Sequence, residues 1–228
     1  MTATYQDLPR LMSAMTGDEK HEPSATSTLD VLWVLYDRVL RIDPANPNDP
    51  DRDRFFLSKG HGPVSYYAVL AAKGFVPPAW LPGVGSFDSR LGHHPDRTLV
   101  PGVEISSGSL GHGLPLAVGA AAGLRAQQSQ SRVFVLVGDA ELDEGSNQEA
   151  IVYAARAGLD RLTAIVIDNS SSTHGWPGGI ARRFEIEGWT TQTVNGRDHH
   201  EIEAALTAKR VGAPHAVVAR VEPKWSNR

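Results

Sequence analysis

Residues 133–176 constrain the fold of this chain most: VFVLVGDAELDEGSNQEAIVYAARAGLDRLTAIVIDNSSSTHGW. The stretch reads as strand, acidic loop, helix, strand and a second polar loop. Asp139 closes the first strand, and Asn169 follows Asp168 just after the second. In a parallel sheet the carboxyl ends of neighbouring strands share one edge, where α/β folds place their ligands. Two oxygen-bearing side chains, 30 positions apart, can therefore meet around one cation. Oxygen-only ligands suit a hard ion, magnesium or calcium, and magnesium commonly shares its shell with phosphate oxygens. A metal-anchored phosphate site is the first expectation.

The 228 residues are enough for a sizeable core and read as a single domain over 1–228. A net charge of -4 with no basic block argues against nucleic acid or an anionic membrane surface as partner. Cysteine is absent, which excludes disulfides, zinc–thiolate sites and thiol catalysis within these residues and fits a cytoplasmic protein. No apolar run is long enough to span a bilayer, and the first twenty residues lack the pattern of a secretory signal.

Strands and helices alternate along the chain, which predicts a three-layer α/β/α fold with a mainly parallel sheet. Helices are expected at 6–15, 28–40, 65–73, 115–130, between the two central strands, near 176–188 and at 200–209. In 28–40, Leu29, Leu32, Tyr36 and Leu40 define one apolar face, with Thr28 as N-cap. Gly74 is a natural helix stop. Further strands are expected within 55–62 (FFLSKGHG), a short one ending in a glycine-flanked histidine, at 191–194 and at 214–221. The proline-rich stretch 75–105 is too long for an ordinary connection and reads as functional or disordered.

Several constellations carry chemistry. Gly138 lets the backbone approach a phosphate, and Asp139 can bind its metal; Asp139 alone fits a helix cap equally well. Glu141, Asp143, Glu144 and Glu149 crowd the start of the following helix, either as solvated charge at the helix dipole or with Glu144 and Glu149 facing an interface. His21, His61, His94 and His112 fall in four separate loop segments, three of them beside glycine or proline, as expected for a site that handles protons and anions. His93 reads as a neighbour of His94, and His199 and His200 as structural. GSLGHG (108–113) can form a backbone cradle. A nicotinamide site, a P-loop and a nucleophile elbow all lack their motifs.

Taken together, GDAELDEGSNQEA with DNSSSTHGW, LSKGHG, GHHPD, PGVEISSGSLGHG and NGRD resemble the thiamine diphosphate-binding half of transketolase over roughly residues 17–220. The length resembles the N-terminal subunit of a split transketolase. The resemblance implies the thiamine diphosphate-binding fold, with thiamine diphosphate and Mg2+ (or Ca2+) as cofactors. It also implies a C-terminal partner subunit carrying the pyrimidine-binding and C-terminal domains, an α2β2 assembly, sugar phosphate substrates, and transfer of a two-carbon ketol unit from a ketose to an aldose. Asp139, Asn169 and the Ser171 carbonyl would ligand the metal. Gly138 and the Ala140 N–H would meet the diphosphate. Gly108, Ser109 and Leu110 would line the aminopyrimidine. His61 would approach the diphosphate and the reacting carbon, and His94 would hold substrate hydroxyls or carbonyl. His21, nine positions before Asp30, aligns with the family's first histidine. Glu144 and Glu149 would join a carboxylate network at the subunit interface.

Three features depart from the family pattern. The second glycine of GDG is Ala140, the HPG after the first histidine is His21-Glu22-Pro23, and the GKG segment after the last strand has no counterpart before EPKWSNR. A 2-oxo acid-decarboxylating two-chain thiamine enzyme and a catalytically degenerate interaction subunit stand as the alternatives.

Overall fold

β2 (Val133–Gly138) and β3 (Leu162–Asp168) are buried along almost their whole length, so their apolar residues must face cores on both sides of a sheet. In the computed structural model of the chain, which describes residues 3–16, 23–60, 63–208 and 211–224, they occupy its centre. β1 (Arg54–Leu57), β4 (Thr190–Asn195) and β5 (His215–Arg220) complete five strands in the order β1-β2-β3-β5-β4. Every pairing is parallel, and the register sets Gly138 beside Ile167 at the end of the central pair.

The side-chain period of two divides the core. Phe134, Leu136, Ile165 and Ile167 face one layer, built on α1 (Leu8–Ser13), α3 (Leu29–Val34), α4 (Val64–Ala72) and α8 (His199–Thr207). Val133, Val135, Val137, Ala164 and Val166 face the other, built on α5 (Gly113–Ala126), α6 (Gly145–Arg156) and α7 (Ile180–Ile186). The short α2 (Pro23–Thr26) precedes α3. This is the three-layer α/β/α architecture with a parallel sheet that the alternation predicts.

Three local expectations are refined. The helix expected at 28–40 is α3 followed by a π-helical turn, Leu35–Val39, and all six residues of α3 are buried. One apolar face is too narrow a description, because α4 and α8 both pack on it. Thr28 holds the N-cap position, yet its side chain makes no capping bond. The 75–105 stretch is ordered by its own anchors: Leu81 and Leu91 are fully buried, and the Tyr67 hydroxyl donates to the Gly92 carbonyl at 2.9 Å. Gly74, at φ +83°, ends α4 as expected.

His199 is structural, as expected. Its Nε2 lies 2.9 Å from Asp30, which also receives Arg197 at 2.8 Å. Asp198 caps α8 by accepting from the His200 and Glu201 N–H groups.

Asp53 ties the amino-terminal edge of the sheet together. Fully buried, its carboxylate accepts from the Arg41 and Arg132 backbone N–H groups at 2.9 and 2.8 Å and from both guanidiniums. Burial pushes this carboxyl up, but the bonds from Arg132 and Arg41 outweigh it and hold it below the ordinary value. The sign follows from linkage: this stabilisation is complete above the unfolded-state value of about 4 and is lost as pH falls through the lower folded value. Removing one partner of a buried pair typically costs about 3 kcal/mol or more. Asp53→Asn is expected to lose about that much in urea unfolding at pH 7, and the gap from wild type should shrink on acidification below about pH 4.

Candidate active site

The carboxyl ends of β2 and β3 bring together the two loops that carry Asp139 and Asn169. Asp139 is 1% exposed. One carboxylate oxygen accepts from the Ala140 N–H at 2.9 Å and from the Ser171 hydroxyl; the other accepts from the Ser171 and Ser172 N–H groups at 2.7 and 3.2 Å. Ser170 bends this second loop through φ +56°, and the Asp143 carboxylate receives the Ser172 hydroxyl at 3.1 Å. A carboxylate offers about four acceptor positions, so all are in use. The Ser171 hydroxyl is the one side-chain donor among the four, and rotation about a single bond removes it.

Asn169 supplies the sharper signal. It is 2% exposed, and its amide oxygen is buried without a hydrogen-bond partner. A polar atom in that state costs free energy unless something fills it. A cation would do so, and a buried carboxylate with a buried amide oxygen, on the loops that leave β2 and β3, is a donor set that suits a hard ion. Among the described residues no three His, Cys, Asp or Glu side chains gather around one point.

Glu141 holds three site-bearing segments in place. Its side chain is buried and accepts from the Ser58 hydroxyl, from the Gly111 N–H at 3.1 Å and from the Gly138 N–H at 3.3 Å. Ser58 in turn accepts from the Gly113 N–H at 3.0 Å. The end of β1, the 108–113 loop and the end of β2 are thereby fixed to one carboxylate. Burial raises its pKa, against those donors and the pull of Lys59. Lys59 lies half-buried beside the same group; burial and then Lys224 lower its ammonium to about 8, opposed by Asp139 and Glu141.

The expected residues divide into those brought together and those that are not. The His94 ring packs against both Gly60 and Gly108: a Cβ on either glycine would lie 2.9 or 3.3 Å from it. His94, LSKG and the 108–113 loop therefore share one corner. The Ser109 hydroxyl is engaged by His112, and Leu110 is 54% exposed. Glu144 reaches the cradle, since a Cβ on Gly111 would come within 2.5 Å of its Cβ. Glu149 is exposed on α6. His93 is set under Gly85, as a neighbour would be. The Ala140 N–H, expected on the diphosphate, is donated to Asp139 here. His21 and His61 lie outside the described residues. Ser58, Lys59 and Glu141 do not stand out in the sequence: within LSKGHG only the histidine has an obvious chemistry, and Glu141 is one acid among four.

Comparison with known proteins agrees with this geometry. The family described as "Transketolase, thiamine diphosphate binding domain" matches residues 13–221. The chain is 58% identical over 219 residues to a protein named ferredoxin fas2 from Rhodococcoides fascians, covering 96% of this chain and 72% of that one. It is 38% identical over 206 residues to one subunit of an apulose-4-phosphate transketolase from Actinobacillus succinogenes, covering 87% and 75%. Among solved structures, transketolase from Campylobacter jejuni superposes with a TM-score of 0.78 at 28% identity, covering 94% of this chain and 37% of that one. The chain thus spans most of the subunit-type relatives but little more than a third of that transketolase.

The cradle is packed closely enough to predict a cost for one added methyl. A Cβ on Gly113 would stand 2.8 Å from Ser58 Cα and closer still to Ser58 Cβ. Gly113→Ala is expected to destabilise the protein by about 2 kcal/mol in chemical denaturation, as overpacking does; an unchanged midpoint would show that the loop can yield.

Proposed function

The chain belongs to the transketolase family through its thiamine diphosphate-binding domain, and we propose that it works as the N-terminal subunit of a split transketolase. In this reading a separate subunit supplies the pyrimidine-binding and C-terminal domains, the assembly is α2β2, and its setting is cytoplasmic. A two-carbon ketol unit passes from a ketose phosphate to an aldose phosphate. The observation that carries the proposal is the unpartnered Asn169 amide oxygen beside the buried Asp139 carboxylate, on a chain that covers 75% of the length of a subunit-type transketolase relative. Among the described residues no helix is long and apolar enough to cross a membrane.

Asp139, Asn169 and the Ser171 carbonyl would hold Mg2+, with the Ser171 hydroxyl turning away from Asp139. Gly138 would let the strand-end backbone approach a phosphate beside the Lys59 stem that packs on it; for the Ala140 N–H to serve the diphosphate it must leave Asp139. When bound, the cofactor supplies the electron sink for breaking and making a carbon–carbon bond beside a carbonyl. Gly108, Ser109 and Leu110 would present the cradle to its aminopyrimidine. His94 would orient substrate oxygens from the corner between Gly60 and Gly108. His61 would serve the diphosphate and the reacting carbon, and His21 the substrate. Glu144 would extend the carboxylate network towards the partner, with Glu149 further along the same helix.

One relative is named a ferredoxin, and the second reading is a two-chain thiamine enzyme that acts on 2-oxo acids. None of these 228 residues is a cysteine, so they offer no thiolate to an iron–sulfur cluster. Assaying the assembled complex with ketose phosphates and with 2-oxo acids separates the two. Asp139→Ala and Asn169→Ala are each expected to lower that activity more than ~100-fold, beyond the loss typical of a group that only supports a metal ligand. Unchanged turnover in both variants would favour an interaction role instead.

A further inference from the structure

Lys59 lies at the strand end where Asp139 and Glu141 are buried. Its stem covers the phosphate-facing glycine: a Cβ on Gly138 would lie 3.6 Å from Lys59 Cγ and Cδ. That stem brings its ammonium to the same strand end; burial and then Lys224 disfavour its charge, and the two buried carboxylates favour it. Lys224 is held nearby through its own N–H on the Asn169 carbonyl at 2.8 Å. A lysine head on a flexible stem moves easily between partners a few ångströms apart. A cation placed between Asp139 and Asn169 cancels much of the charge that attracts Lys59. A diphosphate bound to that cation remains anionic, and it brings new acceptors to the same strand end.

We propose that Lys59 is the mobile counter-charge of this site, neutralising Asp139 when no metal is bound and engaging the diphosphate when metal and cofactor are. The inference rests on the reading that the site takes a metal and thiamine diphosphate. It has a consequence that a merely structural lysine lacks. Towards a bare divalent cation Lys59 is a competitor for Asp139, and towards the metal–diphosphate pair it is a ligand. Removing its charge must move the two affinities in opposite directions.

The test uses the full chain and its Lys59→Met and Lys59→Arg variants, with folding checked by thermal melting. Mn2+ binding alone is read from the free-ion electron paramagnetic resonance signal. Thiamine diphosphate binding at saturating Mg2+ is read by calorimetry. Lys59→Met is expected to bind Mn2+ alone roughly threefold more tightly and thiamine diphosphate ~10-fold more weakly, the scale of one lost charge-assisted bond. Lys59→Arg, which keeps the charge, should restore most of both. Wild-type binding of both ligands with no change in Lys59→Met, or changes in the same direction, overturns the role of Lys59 alone. Failure of the wild-type chain to bind either ligand, both alone and with the partner subunit present, overturns the underlying reading and this inference with it.

Discussion

Two carboxylates buried at the end of one strand govern the arrangement around them. Asp139 and Glu141 are 1% and 2% exposed, and charge removed from water must be met by donors or opposite charge. Asp139 draws its donors from the loop after β3, and Glu141 from the end of β1, the cradle loop and the end of β2. Segments far apart in sequence are thereby held to one edge of the sheet. The parallel register brings β2 and β3 to that edge, and the carboxylates fix the loops that leave it. Fold and site are in this sense one electrostatic problem with one solution.

The layered fold is legible in the sequence because its signals are local. Continuous apolar runs mark β2 and β3, and the 3.6-residue period marks the helices between them. What periodicity cannot show is how many neighbours a helix has. Leu29, Leu32 and Tyr36 predict one apolar face for the helix expected at 28–40, whereas α4 and α8 pack on α3 and all six of its residues are buried. The 75–105 segment looks irregular because its order comes from isolated anchors such as Leu81 and Leu91, which have no period to detect.

The site is legible where a residue's chemistry is distinctive and opaque where its role is relational. Asp139 and Asn169 stand out as oxygen ligands at strand ends, and the described edge does hold them. Glu141 looks like one acid in a solvated cluster; its importance lies in three donors from three segments, which no spacing within GDAELDEG reveals. Lys59 is inconspicuous beside His61 for the same reason. Leu110 is exposed and Glu144 adjoins the cradle, and in the proposed assembly these are the cradle side chains that would meet the partner.

In the proposed function the Asp139–Asn169 edge binds thiamine diphosphate through a divalent cation. Calorimetric titration of thiamine diphosphate into the wild-type chain, with Mg2+ and then with a chelator, tests it most directly, alone and with the candidate partner present. Binding is expected to require the metal and to tighten with the partner. Equal binding with chelator present, or none under any of these conditions, would contradict it.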